Sequence, residues 1–288
     1  MADTVRHILP NELTLELTAA KGEKQGLGLW TLGLAGARWA ASGEGRAAVS
    51  EKRVLELGSG VGLAGLACGA SASEVTLTDY DDEVLGLLRC HVELNRPRLR
   101  QGVIFRVAKL DWDAPAPEPE PEPEPELGQL AEPEGVLGSP ARRFDVVLGA
   151  DVCYSGMSQV PSLFDDSSDD DSPSSPDDGA AADPSQRHAW ENSANVAQTL
   201  AWCMAQPHGV AHLFVHEGRS PDEVARFISR ADELGMVTVR EPLSPELLGQ
   251  GSADSVAGEG AVLHDYTLEQ GLVRLVVRWR EPNKAIKS

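Results

Sequence analysis

Five residues carry the clearest chemical purpose in this chain: the carboxylates Glu56 and Asp79 and the glycines Gly58, Gly60 and Gly62. Val54, Leu55 and Leu57 make a short apolar run of buried-strand character, and the three glycines come after it at alternate positions. An alanine-rich stretch from Leu63 to Ala70 then has helical composition. Strand, glycine turn and helix predict the first half of a nucleotide-binding βαβ unit. Without a Cβ, such a turn can take positive φ and admit a ligand against its backbone. A dinucleotide fold spaces its glycines G-x-G-x-x-G, so that a pyrophosphate rests on the helix N-terminus. Here the spacing is Gly58-x-Gly60-x-Gly62, with Glu56 two positions before the first glycine. A carboxylate there repels a pyrophosphate and can face the amino end of a zwitterionic ligand. Asp79 ends the next apolar run, Val75-Thr-Leu-Thr78, where a carboxylate can accept both hydroxyls of a ribose.

The pair selects a ligand with a ribose and a cationic amino-acid tail, and S-adenosylmethionine fits both. Glu56-Leu-Gly-Ser-Gly-Val-Gly-Leu-Ala-Gly65 with Asp79-Tyr80 resembles the cofactor-binding motifs of the seven-β-strand methyltransferases. Leu27-Gly-Leu-Trp30, Leu110-Asp-Trp112 and Asp151-Val-Cys-Tyr154, in that order, resemble the protein-lysine methyltransferase family that carries a D-x-x-Y signature. The resemblance runs from about Gly26 to about Arg280, leaving out two low-complexity insertions. It implies a Rossmann-like α/β fold: a seven-stranded, mostly parallel sheet with a reversed last strand and helices on both faces. It also implies S-adenosylmethionine as cofactor, held by Trp30, Glu56, Gly58, Gly60, Gly62, Asp79, Tyr80, Asp111, Trp112 and Ala150. On the same ground Asp111 accepts a hydrogen bond from the adenine amino group, Trp112 stacks on that ring, and Asp151 and Tyr154 flank the substrate lysine. No metal ligand is implied.

The elements that must position these residues can be read from pattern. Leu13 to Leu17 alternates like a strand, to be paired at a sheet edge or in a hairpin with the segment after it. Gly26 to Ala41 begins with glycines and then reads as a helix with Leu29, Leu32, Leu34, Ala37 and Trp39 available for burial. Asp81 to Asn95 reads as another, capped by Asp81 or Asp82, with Val84, Leu87, Leu88 and Val92 on its apolar face. Strands are expected at Val103–Val107, Phe144–Ala150, Ala211–Val215, Met236–Val239 and Leu272–Trp279, and a helix at Asn195–Ala205. Ser220-Pro-Asp-Glu223 has the form of a capping box opening a helix that stops at Gly235. Leu110-Asp-Trp112 and Asp151-Val-Cys-Tyr154 both fall at carboxyl ends of strands, the edge where open α/β sheets bind ligands.

Charge and composition bound the rest. The formal net charge is −20, yet residues 113–140 and 165–183 each hold eight acidic residues and no Lys or Arg, so all but four of those charges sit in two segments. Such a balance disfavours binding to a phosphate backbone and leaves a basic protein partner open. The Pro-Glu repeat within 114–141 has no apolar face and is expected to be a solvated, polyproline-like loop; the Asp/Ser-rich 156–189 is expected to be disordered. With residues 1–25 as an N-terminal extension, the remainder predicts one methyltransferase domain, expected to act as a monomer. No run of eighteen apolar residues predicts a membrane span, and Met1–His7 carries no apolar signal core, so a cytoplasmic or nuclear location is expected. Cys68, Cys90, Cys153 and Cys203 lack C-x-x-C spacing and are expected to be reduced.

Methyl transfer from a sulfonium asks for neither a metal nor a covalent enzyme nucleophile. It asks for alignment, exclusion of water and a neutral acceptor amine. Asp151 is expected to hold the incoming ammonium, and Tyr154 to wall it by a cation–π contact. A cytosine-type transferase would show a Pro-Cys pair near Cys153, and nucleic-acid or amide methylation would show Asn/Asp-Pro-Pro-Tyr where Asp151-Val-Cys-Tyr154 stands. The leading expectation is a protein substrate presenting a lysine. The competing ones are a non-catalytic module binding a basic partner through its acidic loops, and a small-molecule methyltransferase.

Overall fold

The structure is a computed structural model that describes residues 4–18, 27–113, 143–153, 192–248 and 271–281. The insertions 114–141 and 156–189, and Tyr154, lie outside the described residues.

The chain opens with a hairpin of β1 (Thr4–Ile8) and β2 (Thr14–Thr18), antiparallel, with Arg6 opposite Glu16. This corrects the expectation that Leu13–Leu17 pairs with the segment after it; its partner is the strand before it. Val5, Leu15 and Leu17 turn inward at alternate positions, as a half-buried strand requires. Two antiparallel strands alone are marginal in water, and α4 (Asp82–Asn95) supplies the support. The Asn95 amide bonds both ways with the Glu16 main chain, Nδ2 to O at 2.6 Å and Oδ1 from N at 2.7 Å, as a paired strand would.

The remaining strands are β3 (Arg53–Leu57), β4 (Glu74–Asp79), β5 (Ile104–Lys109), β6 (Val146–Ala150), β7 (Val210–His216), β8 (Met236–Pro242) and β9 (Leu272–Trp279). They form one seven-stranded sheet in the order β5-β4-β3-β6-β7-β9-β8. Only β9 runs against its neighbours, antiparallel to both β7 and β8. The seven strands, mostly parallel with a reversed last strand, match the architecture that the resemblance implied. From β3 the chain steps outward to β4 and β5, then crosses back to lay β6 on the other side of β3. The β3/β6 junction is therefore the switch point of the sheet, where a crevice opens at the carboxyl ends of the strands.

Helices cover both faces. α1 (Thr31–Ala41), α3 (Leu63–Cys68) and α4 share one core with Val54, Val75, Leu77, Val146 and Leu148; α2 (Gly43–Val49) comes directly after α1. α5 (Asn192–Cys203) and α6 (Pro221–Glu233) share the other with Leu55, Leu57 and Val147. Alternate strand residues thus serve opposite cores, which fixes which face each polar residue of a strand must meet.

Several details differ from the pattern reading. Leu27–Trp30 is not helical and α1 begins at Thr31. α5 starts three residues earlier than Asn195. Ser220 occupies the N-cap of α6 without a side-chain cap bond, and Glu223 pairs instead with Arg226 one turn on. The proline start and the Gly235 stop, at φ 83°, stand as expected.

Candidate functional site

Gly58, Gly60 and Gly62 have φ of 56°, 50° and 79°, a run of left-handed conformations that carries the chain from β3 sharply into α3. Three hydrogen bonds clamp this turn to β4 beyond the last strand pair: Ser59 N to Thr78 O at 2.7 Å, Thr78 N to Ser59 Oγ at 3.0 Å, and Thr78 Oγ1 to Glu56 O at 2.6 Å. The turn is thereby held open before any ligand arrives.

Asp79 completes the clamp. Its Oδ2 accepts from Gly60 N at 3.1 Å and its Oδ1 from Asp81 N at 3.2 Å. Burial raises its affinity for a proton, and the amides of Asp81, Gly60 and Tyr80 oppose that rise. A carboxylate offers about four acceptor positions. Gly60 N and Asp81 N take one on each oxygen, and positions remain for a pair of vicinal hydroxyls.

Glu56 departs from the expectation that it faces a ligand's amino end. Its residue is 3% exposed, and its Oε2 accepts from Gly65 N at 3.1 Å. The reason is geometric. Glu56 shares its strand face with Val54, the face covered by α3, and Gly62 at the α3 N-cap has no side chain to offer. Glu56 takes over the capping of the third helical amide. A Cβ on Gly65 would lie 2.5 Å from Oε2 and 2.2 Å from Leu77, so only glycine admits the carboxyl there. Burial pushes Glu56 up to about 8, against the bonds from Ser59 and Gly65.

Trp112, just past β5, lies over the start of the glycine turn: a Cβ on Gly58 would be 3.1 Å from its ring and 3.5 Å from Val152. The ends of β3, β5 and β6 therefore meet here. Asp111 is exposed, with Oδ1 accepting from Asp113 N at 3.0 Å, so its carboxylate serves a local turn. Asp113 in turn accepts from Asn195 of α5 at 2.7 Å, tying this loop to the opposite layer. Tyr80 stands 60% exposed beside Asp79. Ala150 ends β6 opposite Phe214. Trp30 is the N-cap residue of α1, a helix whose Gly36 packs on Ala64 of α3.

Asp151 comes directly after β6 with φ 61°, an uncommon conformation for a residue with a Cβ. Its carboxylate is ion-paired through Oδ1 with Arg219 at the end of the β7–α6 loop. Pattern reading missed Arg219; its signal was position, since it too stands after a strand at the ligand edge. His91 was also missed. Its Nε2 accepts from Thr18 N at 3.0 Å, which leaves Nδ1–H to donate to Val61 O at 2.9 Å, so one buried ring joins hairpin, α4 and glycine turn.

The fold is a Rossmann-like α/β sheet with its glycine turn at the β3/β6 switch point. A lysine methyltransferase family model matches residues 10–127, from the hairpin to beyond Trp112. The chain is 30% identical over 110 residues to the protein N-lysine methyltransferase METTL21A of Danio rerio. That stretch is 38% of this chain, and the chain spans 40% of the relative's length. Among solved structures it is similar to a TehB-like SAM-dependent methyltransferase from Corynebacterium glutamicum, at TM-score 0.44 and 12% identity over 85% of this chain and 88% of the other. A putative SAM-dependent methyltransferase from Streptococcus mutans gives TM-score 0.48 and 12% identity over 95% and 55%.

Proposed function

We propose that this protein transfers a methyl group from S-adenosylmethionine to a lysine side chain of another protein. The observation that carries the reading is the Asp79 carboxylate, locked to the glycine turn with acceptor positions remaining. The residues present fit the cofactor. Asp79 would take the ribose hydroxyls, Trp112 would stack on the adenine, and Gly60 has no side chain where the ligand must approach closely. Tyr80 and Asp111 extend the same rim, and Trp30 and Ala150 are assigned to the pocket by resemblance.

When bound, S-adenosylmethionine supplies a methyl carbon on a sulfonium, an electrophile that needs no metal. A lysine amine is protonated below about pH 10.4 and becomes a nucleophile only after losing that proton. Asp151 would accept a hydrogen bond from the arriving ammonium and aim its nitrogen, and Tyr154 would wall the amine with its ring. The ammonium would give up one proton to solvent before attack, and Asp151 would hold the neutral nitrogen in place. The family match and the relative's named activity support lysine in a protein as acceptor. The match ends before Asp151, so the assignment of Asp151 rests on its place at the strand edge and, with Tyr154, on the D-x-x-Y resemblance.

Calorimetric titration with S-adenosylhomocysteine, and then transfer of tritiated methyl groups into a cell extract, tests the proposal. Micromolar binding and labelling of a protease-sensitive band support it. No binding sinks the pocket assignment, and labelling that survives protease moves the substrate to a small molecule.

A further inference from the structure

Asp151 and Arg219 meet across the carboxyl ends of β6 and β7, with side chains 14% and 28% exposed. Both are held from behind. Asp151 N donates to Phe214 O at 2.8 Å, keeping its left-handed backbone in register with β7. Arg219 N donates to His216 Nδ1 at 2.9 Å, and Ser220 N donates to His216 O at 3.3 Å as α6 begins. Earlier in the same loop, Glu217 N donates to Gly271 O at 2.8 Å while its carboxylate pairs with Arg240 at 2.9 Å. The guanidinium is thus presented from a braced loop and not from a swinging one. It engages Oδ1 of Asp151, and among the described residues no other group bonds that carboxylate.

We propose that Arg219 is a positioning residue for the acceptor amine: it pins Asp151 through Oδ1 and turns Oδ2 toward the incoming ammonium. The inference rests on the methyl-transfer reading of the site. A lone carboxylate at a strand end rotates about two torsions, and methyl transfer tolerates little misalignment of the attacking nitrogen. A planar guanidinium removes that freedom and, in a partly dry setting, does so more firmly than a lysine ammonium, which is a point charge on a flexible stem. It also compensates Asp151 while no substrate is bound, so the site need not bury an unpaired charge.

The test compares wild type, Arg219→Gln and Arg219→Lys in two measurements: calorimetric titration with S-adenosylhomocysteine, and tritiated methyl transfer into the extract protein that wild type labels. With that acceptor purified, Arg219→Gln should keep S-adenosylhomocysteine affinity within about twofold and the KM for S-adenosylmethionine unchanged, while kcat falls by about 100-fold. Arg219→Lys should recover part of the loss, about tenfold. A kcat equal to wild type overturns the proposal and leaves the methyl-transfer reading standing. A parallel loss of S-adenosylhomocysteine affinity also overturns it, because Arg219 would then support the fold and not the amine. If wild type labels no protein, the methyl-transfer reading fails and this inference falls with it.

Discussion

Glu56→Gln isolates the most unusual charge in the structure. In the unfolded chain Glu56 ionises near 4.5, and in the folded chain burial delays this to about 8. Below the first value both states hold the proton and nothing is lost. From there up to pH 8 the folded state keeps a proton that the unfolded state releases, so stability falls as pH rises, by up to about 1.4 kcal/mol per unit. Between about pH 5 and pH 7 the wild type should lose roughly 2–3 kcal/mol on this account. Glutamine has the shape of the protonated acid, keeps an oxygen for Gly65 N and cannot ionise. Urea denaturation of both proteins at half-unit steps from about pH 5 to pH 8.5 gives the difference directly. Groups remote from Glu56 and common to both largely cancel in it, whereas Asp79, whose charge helps to raise Glu56, is coupled to it. The variant should match or trail wild type near pH 5 and gain on it steadily toward pH 8. A difference that stays flat would mean that Glu56 is ionised throughout, and the buried, neutral cap on α3 would be wrong.

Asp79→Ala should weaken S-adenosylhomocysteine binding by at least about 100-fold in calorimetry, since two hydrogen bonds to a charged acceptor are lost and the Gly60 amide is left unpaired. Gly65→Ala should lower stability by about 1–3 kcal/mol in denaturant melts, because its Cβ meets Leu77 at 2.2 Å and Glu56 at 2.5 Å inside a packed layer; an unchanged midpoint would show that α3 can shift freely. His212 gives the opposite pH sign from Glu56. Burial, then the charges of Arg274 and Arg278, hold it down to about 3, with Glu44 opposing. Its contribution is complete above about 6.5 and lost as pH falls, roughly 2 kcal/mol between pH 7 and pH 5. His212→Phe, which preserves a ring against Trp39, should flatten that acid limb.

Much of this architecture was legible because its signals are local. Apolar runs broken by glycine marked β3 and the turn after it, and the apolar face of Val84, Leu88 and Val92 marked α4 with Asp81 as its cap. The sheet order is not local, since it depends on the crossover from β5 back to β6, and only the family resemblance anticipated it. Glu56 shows where motif reading stops and geometry takes over. Its spacing to Gly58 suggested a ligand contact, yet its parity with Val54 already placed it under α3. Read as an alternation and not as a motif, the same five residues would have pointed to Gly65. Asp151 lies beyond that reach. Its partner is 68 residues away, and nothing in Glu217-Gly-Arg219 sets it apart from any basic loop until β7 is laid beside β6. A pair that depends on two strand ends being neighbours can be found only once the sheet is assembled. The proposed alignment of the acceptor amine therefore rests on the β6/β7 register that brings Asp151 and Arg219 together.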